Sequence, residues 1–358
     1  MRFSRNLPAA AILFAGALHA APIPDYDFLP LALDPASGEF PEGIAVDRRG
    51  NLIYSLAPRG EIWRATPGGD LQLIAALDSG LPGGASGALG LATGSDGVYA
   101  ALMACAASGC NDTHGVWRIR NGGHKSRLAG TEQIAFPNAL TFGRHGELYV
   151  TDTLKGAIWV LHRLRHRDGP CRNSHGGPFS LPEIWLQHDA LLGTGALGLG
   201  APIGANGIDY SRGAKPDDDE ILVANTERST LLAIQVGSDG EAGWIEVVAA
   251  GPALFTIDGI AADRYGDVLA LTVARAGVAG LEPASQLLHI HRDAGEIHQV
   301  LTGAPLHFST SLAFGRRSGT RETIFVANWA VLAPRFGLVP EPGIVRVDLE
   351  HIWIAEAD

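Results

Sequence analysis

The sequence repeats one pattern about every fifty residues, and this repeat limits the fold more than any other feature. In each copy, a short apolar segment is followed by a turn, usually with Gly or Asp, and by two further apolar segments. Counted at the residue before the first segment, the copies start at positions 42, 89, 138, 206, 258 and 310, so they are 47, 49, 68, 52 and 52 residues apart. Short apolar segments between such turns are typical of β-strands in hairpins.

A repeat of this length, with three or four strands in each copy, predicts an all-β fold, a six-bladed β-propeller around a central channel. A solenoid is the alternative, but its repeats are usually shorter. Residues 21–358 are predicted to form this single propeller. The 68-residue interval indicates an insertion at about 162–203, and we interpret its Gly-rich end, 193–204, as a lid loop.

The composition agrees with a large core and many tight turns. Of the 358 residues, 46% are hydrophobic, which is enough to bury a sizeable core and argues against disorder. The 46 glycines and the low charged fraction of 18% suit short strands joined by turns. The formal net charge of −11 and the lack of a basic stripe argue against a nucleic-acid partner.

The first twenty residues have the pattern of a secretory signal peptide. Arg2 and Arg5 precede an apolar run, 7–18, and Leu18-His19-Ala20 forms a small-residue cleavage site. An uncleaved membrane anchor is the alternative, although the run is too short to span a bilayer comfortably. We therefore predict an exported, periplasmic or extracellular protein that has no membrane partner after cleavage and is a monomer.

The chain has three cysteines. Export to an oxidising compartment favours a bridge between Cys105 and Cys110, although the sequence leaves its formation open, and Cys171 is then the odd one out.

Four of the six copies begin with an oxygen-bearing side chain followed by a small residue: Glu42, Asn138, Asn206 and Asp258. The first strand of each propeller blade lines the channel, so these side chains are predicted to form a ring with Leu89 and Thr310. The alternative is a turn role, because Asn and Asp are favoured in turns. Glu, however, is not a preferred turn residue.

Two carboxylates in one narrow channel would repel each other, and a divalent cation would remove this conflict. Because the four donors are hard oxygens, the ring predicts a metal site for Ca²⁺, with another divalent cation such as Zn²⁺, Mn²⁺ or Mg²⁺ as the alternative. The predicted ligands are Glu42, Asn138, Asn206 and Asp258.

The loops between the second and third strands of the blades should surround the same mouth of the channel. They supply the rim candidates Arg59, His114, Asp152, Lys155, Glu227, Arg228, Arg275 and Trp329. His307 is a candidate proton carrier, with a core or surface role as the alternative.

The ordered stretches Pro41-Glu42-Gly43, Pro137-Asn138, Ala205-Asn206-Gly207 and Ile257-Asp258-Gly259 resemble the regucalcin/gluconolactonase family over residues 39–348. The resemblance implies a six-bladed propeller with one divalent ion in the channel. It implies that Glu42, Asn206 and Asp258 are direct ligands, and that Asn138 is a ligand or contacts the substrate and metal-bound water. Where sugar-lactone hydrolases of this kind commonly have an Arg, this sequence has Phe136, which suggests a less polar lactone or ester.

The leading functional hypothesis is a calcium-dependent lactonase whose partner is a small-molecule lactone or ester. The ion would polarise the carbonyl group, and Asp258 or a rim group would accept a proton from the attacking water. Asn138 and Asp258 are the candidate catalytic residues. One alternative is a phosphotriesterase or arylesterase at the same ion, with Asp258 as nucleophile. The other is a non-enzymatic binding propeller with structural calcium.

Overall fold

The structure is a computed structural model, and it describes residues 24–77, 87–106, 109–120, 122–164, 178–277, 280–317 and 319–350. Six four-stranded antiparallel sheets stand in a circle, with the first strand of each sheet against the first strand of the next. The predicted all-β, six-bladed propeller is therefore confirmed. The predicted signal peptide and Cys171 lie outside the described residues.

The strands are numbered along the chain. They are β1 (Tyr26–Phe28); β2 (Pro41–Val46), β3 (Leu52–Leu56), β4 (Glu61–Ala65) and β5 (Leu71–Ala76) of blade one; β6 (Gly87–Gly94) and β7 (Gly97–Met103), the hairpin β8 (Cys105–Ala106) and β9 (Gly109–Cys110), and β10 (Gly115–Ile119) and β11 (Lys125–Arg127) of blade two; and β12 (Pro137–Phe142), β13 (Leu148–Asp152), β14 (Ala157–Leu161) and β15 (Glu183–Gln187) of blade three. They continue with β16 (Ala205–Ser211), β17 (Glu220–Asn225), β18 (Thr230–Val236) and β19 (Ala242–Ala250) of blade four; β20 (Ile257–Ala262) and β21 (Val268–Thr272), the hairpin β22 (Arg275–Gly277) and β23 (Gly280–Glu282), and β24 (Gln286–Ile290) and β25 (Ile297–Thr302) of blade five; and β26 (Ser309–Phe314), β27 (Thr323–Asn328) and β28 (Gly343–Asp348) of blade six.

Helical structure in the described ranges is limited to short 3-10 turns. They are Pro35–Ser37, Ala57–Arg59, Thr131–Gln133, Asp189–Leu191, Pro216–Asp218, Pro252–Leu254 and Ala333–Phe336. None of these is long and apolar enough to cross a bilayer.

Blade six is completed by the other end of the chain. β1 pairs with β28, with Tyr26 opposite Val347 and Phe28 opposite Val345. The three leucines that follow β1 (Leu29, Leu31 and Leu33) pack into the core between blades one and six. This edge strand could not be recognised in the sequence, because three exposed side chains show no burial alternation. It closes the circle by joining both ends of the chain in one sheet.

The core is divided into six apolar clusters, one between each pair of neighbouring blades. The second strands are buried on both faces. In β13, Tyr149 packs towards blade four and Val150 packs towards blade two. Strands buried on both faces have continuous apolar sequences, which is why the repeat is visible as apolar runs.

The first strand of every blade has a register shift at its ring position. The shifts lie between Pro41 and Ile44, Ala88 and Leu91, Pro137 and Leu140, Ala205 and Ile208, Ile257 and Ile260, and Ser309 and Ser311. A local bulge bends a strand and changes the direction of a side chain. The same irregularity therefore occurs at all six positions from which the ring side chains project.

The small residue after each ring position is explained by close contact between blades. A Cβ atom at Gly43 would lie 2.2 Å from the Leu89 carbonyl oxygen, and one at Gly207 would lie 2.1 Å from the Asp258 carbonyl oxygen. Gly90 and Gly259 meet the next blade in the same way. These glycines let the backbone of each blade touch the ring residue of the next.

Hydroxyl groups on the second strands hold the same carbonyl groups. Ser55 donates to the Leu89 carbonyl oxygen at 3.1 Å and accepts a bond from the Gly43 N–H at 2.8 Å. Thr151 donates to the Asn206 carbonyl oxygen at 2.8 Å. The backbone groups released by the register shifts are thus used to connect neighbouring blades.

The segment predicted as an insertion, 162–203, contains β15, the outermost strand of blade three. Residues 165–177 lie outside the described residues. The extra length that the structure does describe follows β15, in the Gly-rich loop that leads to β16.

We expect Gly207→Ala to destabilise the protein by about 1–3 kcal/mol or more, because the new methyl group would overlap a backbone carbonyl that cannot move independently. Urea unfolding of the purified protein measures this change. Gly68→Ala is the control, since its Cβ would meet only the Thr66 hydroxyl at 3.7 Å. Equal stability of the two variants would contradict close packing between blades four and five.

Candidate functional site

A ring of polar side chains separates two cavities at the centre of the propeller. Glu42, Asn138, Asn206, Asp258 and Thr310 line both of them. The channel cavity, about 680 Å³, extends from the ring along the first strands, and the mouth cavity, about 360 Å³, opens on the other side. The structure therefore brings together all four predicted site residues.

The two ring amides are held in one orientation by threonines that the sequence analysis did not identify. Asn138 Nδ2 donates to Thr153 Oγ1 at 3.1 Å, and Asn206 Nδ2 donates to Thr226 Oγ1 at 3.0 Å. Both hydroxyls donate their own protons to backbone carbonyls of the next blade, at 2.7 Å in each case. Each hydroxyl can therefore only accept from its amide, which leaves the amide oxygens as the atoms available for a ligand.

A shared position could have revealed these threonines. Thr153 follows β13 and Thr226 follows β17, each one residue beyond the end of the second strand of its blade. Sequence reasoning that considered only the first strands could not find them.

The charged forms of the two ring carboxylates, Glu42 and Asp258, are electrostatically unfavourable when no cation neutralises them. Burial, and then the nearby Asp258 charge, raise the pKa of Glu42 well above its usual range. Burial raises the pKa of Asp258 to about 7, although a hydrogen bond with Asn206 opposes the shift. Glu42 Oε2 is buried and makes no hydrogen bond. A buried carboxylate oxygen without a partner is costly, and a bound cation would remove this cost.

The donor set of the ring fits a divalent cation that prefers oxygen. It offers two carboxylates and two amide oxygens, with the Thr310 hydroxyl beside them. Such donors suit Ca²⁺ better than metals that prefer nitrogen or sulfur. Thr310 donates its own proton to the Glu42 backbone carbonyl at 3.0 Å, so its hydroxyl oxygen can act only as an acceptor towards a ligand.

The mouth cavity is mainly apolar outside the ring. Its larger apolar and aromatic lining residues are Leu89, Met103, Phe136, Leu197, Leu199, Ile203, Val273, Leu281, Trp329, Val331 and Leu332. Phe136 thus stands in the wall, as its position two residues before Asn138 predicts. A polar ring below an apolar wall can bind a ligand that has one polar group and an apolar body.

Most of the described rim candidates do not line the mouth cavity. Of the eight rim candidates, all of which are among the described residues, only Trp329 lines the mouth cavity. Asp152 is buried and accepts hydrogen bonds from the backbone N–H groups of Ala135 and Phe136, at 2.8 and 3.1 Å, so it positions the Phe136 backbone. His307 is not among the residues that line the mouth cavity.

The hairpin β8–β9 contains a disulfide between Cys105 and Cys110. Next to it, His114 is buried and uses both ring nitrogens. Nδ1 accepts from the Ala104 N–H at 3.1 Å, and Nε2 lies 2.7 Å from the Ile134 carbonyl oxygen. His114 therefore acts as a structural link in the rim.

The Gly-rich loop before β16 is held over the mouth by Glu227. The Glu227 carboxylate accepts from the N–H groups of Thr194 and Gly195, each at 2.5 Å, and of Leu197 at 3.1 Å. Burial opposes the charge, but these N–H groups keep the pKa of Glu227 below its usual range. The loop carries Leu197, Leu199 and Ile203 into the cavity wall, and its movement as a lid stays a prediction.

Solved structures with this propeller fold include enzymes and a calcium-binding protein. No protein-family model matches the sequence, and no curated protein matches it significantly. A luciferin-regenerating enzyme is 11% identical with a TM-score of 0.60, over 91% of this chain and 95% of that one. A gluconolactonase from Xanthomonas campestris is 12% identical with a TM-score of 0.55, over 93% and 98%.

Regucalcin from Agrobacterium tumefaciens, a calcium-binding protein, is 13% identical with a TM-score of 0.55, over 87% of this chain and 90% of its own. At such low identities the similarity shows the fold. The predicted resemblance to the regucalcin and gluconolactonase structures is confirmed at that level.

We expect the stability of the chelator-treated protein to fall as pH rises from 5 to 8. A carboxyl group with a raised folded pKa stabilises the fold while protonated. This contribution is complete below the unfolded pKa, about 3.9, and is lost as pH rises through the folded value. For Asp258 that value is about 7. Between pH 5 and 8, the free energy of unfolding of the wild type should fall by on the order of 2–3 kcal/mol more than that of Asp258→Asn.

Urea unfolding at several pH values measures this loss. Asp217→Asn, an exposed residue on the turn before β17, should keep the pH dependence of the wild type. If the Asp258→Asn curve had the same slope as the wild type, Asp258 would not be the group responsible.

We expect Glu227→Gln to release the loop at 194–197, because a neutral amide is a weaker acceptor for three N–H groups than a carboxylate. Hydrogen exchange at the Gly195 and Leu197 amides should become about tenfold faster, which corresponds to about 1.4 kcal/mol. Glu183→Gln, an exposed substitution on β15, is the matched control and should leave these amides unchanged. Unchanged protection in Glu227→Gln would show that the loop is held by other contacts.

Proposed function

We propose that this protein is a hydrolase of lactones or esters with an apolar body, and that it depends on a divalent cation, Ca²⁺ in the first instance. Glu42, Asn138, Asn206 and Asp258 would hold the ion. The observation that carries the proposal is the Glu42–Asp258 pair: both residues line the apolar mouth cavity, and Glu42 Oε2 is buried without a hydrogen-bond partner. The gluconolactonase and regucalcin among the structures of similar fold support the choice of chemistry.

When bound, the cation would supply Lewis-acid polarisation of a substrate carbonyl group. The ring residues would do the remaining work. Asn138 is locked by Thr153 and would orient the polar end of the substrate. The walls of the mouth cavity would exclude water from the apolar end.

Asp258 is the best-placed group to accept a proton. It is a ring carboxylate that lines the mouth cavity, although coordination to the cation would lower its pKa below the value of about 7 that burial produces without the ion. Water would add to the carbonyl carbon of the lactone, and its proton would pass to the Asp258 carboxylate. The C–O bond within the lactone would then break. The same proton would return to the leaving alkoxide, so that the product is a hydroxy acid.

The mouth cavity favours a substrate with few hydroxyl groups. Phe136, Leu197 and Trp329 offer apolar contact where a polyhydroxylated sugar lactone would need hydrogen-bond partners. Alkyl-substituted or aryl lactones therefore suit the wall better than aldonolactones.

The aromatic rings of Phe136 and Trp329 also favour a second candidate, the hydrolysis of aryl esters or phosphotriesters. In that reaction Asp258 would act as the nucleophile and form a covalent intermediate. Single-turnover hydrolysis in ¹⁸O-water separates the two routes. Label incorporated into Asp258 supports the nucleophile, and label found only in the product supports attack by water.

We expect hydrolysis of alkyl-substituted lactones that is abolished by chelation and restored by Ca²⁺. Asp258→Ala should lower kcat by about 100-fold or more, because it removes the proton acceptor. Asp217→Ala, on an exposed turn, should keep the activity of the wild type. Initial rates on a panel of alkyl lactones, aldonolactones and aryl esters provide the measurement.

Two outcomes would contradict the proposal. Activity that persists after complete removal of divalent ions would exclude the metal requirement. If no panel member is hydrolysed while Asn138→Ala and Asp258→Ala lower the Tm of the calcium-loaded protein, the propeller is a binding module with structural calcium.

A further inference from the structure

A second cluster of metal-ligating side chains lies on blade five, far from the ring. Asp267 is on the turn between β20 and β21, at the opposite end of β20 from Asp258, and His289 and His291 are at the end of β24. Their ligand atoms all lie within 4.8 Å of one another. Asp267 Oδ2 is 3.0 Å from His291 Nδ1 and 3.6 Å from His289 Nε2.

We propose that this cluster binds a transition-metal ion of the zinc class, independently of the channel. Ligands at about 2.0–2.1 Å from a tetrahedral Zn²⁺ lie about 3.3–3.4 Å from one another. The two distances from Asp267 Oδ2, 3.0 and 3.6 Å, are on either side of this value. Two imidazoles and one carboxylate favour Zn²⁺, whereas Ca²⁺ and Mg²⁺ prefer oxygen alone.

The three ligands are oriented by rigid neighbours. His289 is on β24 and His291 directly follows the last residue of that strand, and their imidazole rings are in contact, with centroids 4.7 Å apart. His289 is only 1% exposed and stands between Leu269 and His298 across the sheet. Asp267 Oδ1 accepts a hydrogen bond from the Arg292 backbone N–H at 2.8 Å, and this bond turns Oδ2 towards the two histidines.

A second carboxylate next to the cluster supports a cation at this place. Asp263 interacts electrostatically with both Asp267 and His289, and its Oδ2 is buried without a hydrogen bond. Its other oxygen accepts from the Tyr265 and Asp267 N–H groups, at 2.7 and 3.0 Å. An additional positive charge would therefore be stabilised on this side of the cluster.

The nearby guanidinium groups are engaged elsewhere. The Arg292 side chain pairs with Glu220 at 2.6 Å, and Arg264 pairs with Glu322 at 2.6 Å. The fourth coordination position can be filled by water or by His298, whose ring centroid is 5.1 Å from that of His291. A metal ion here would tie the β20–β21 turn to β24 and stabilise blade five.

Zinc binding to the full-length, metal-free protein tests this proposal, with excess Ca²⁺ present to occupy the channel. We expect calorimetry to show one Zn²⁺ per wild-type protein, and Zn²⁺ to raise its Tm. His291→Gln should weaken this binding at least tenfold and remove the rise in Tm. His162→Gln is the matched control, since this partly exposed histidine of blade three also pairs with a carboxylate, that of Glu183 in the same blade.

A second variant shows whether a loss of zinc binding could result from misfolding instead of from the loss of a ligand. Asp267→Asn keeps an acceptor for the Arg292 N–H but removes the charge, and it should also lose zinc binding while its circular dichroism stays like that of the wild type. Asp258→Asn should bind zinc as the wild type does. The proposal is overturned if the wild type binds no zinc, if His291→Gln and Asp267→Asn bind it normally, or if only Asp258→Asn loses it.

Discussion

The contact between the first strands of neighbouring blades is the constraint on which the rest of this structure depends. At Gly43 and Gly207 the backbone of one blade lies so close to the ring residue of the next that a Cβ atom would not fit. Hydroxyl groups such as that of Ser55 hold the same carbonyl groups. Because four of the six blades meet the next in this way, at Gly43, Gly90, Gly207 and Gly259, the ring positions depend on contacts around the circle as well as on their own strands.

The close contact between blades brings two carboxylates and two amides into one narrow channel. Glu42 and Asp258 are both half-buried in one channel, where burial raises both pKa values. Thr153 and Thr226 hold the amides of Asn138 and Asn206 in one orientation, so the amide oxygens stay available for a ligand. Two charged carboxylates in one channel are costly without a neutralising partner, and the proposal of a cation rests on that cost.

Much of the fold could be predicted because second strands buried on both faces produce apolar runs at a regular interval. The four donors could also be predicted, since each stands just before such a run. β1 could not be predicted, because a three-residue edge strand with exposed side chains has no pattern. Thr153 and Thr226 were missed because only the pairing of the first two strands of each blade brings them beside Asn138 and Asn206. The cluster of Asp267, His289 and His291 was missed because only the pairing of β21 with β24 brings these residues together.

The sequence by itself determined the number of blades, the residues that reach the ring, and the apolar residue at Phe136, because all three depend on local pattern and on the period of the repeat. Only the tertiary structure decided that the ring carboxylates share one desolvated space and that the amides present their oxygens. It also decided that the chain closes through β1 and β28. The physical reason is that desolvation, hydrogen-bond orientation and strand pairing depend on neighbours distant in the chain, and those neighbours are defined only when the six blades close into a circle.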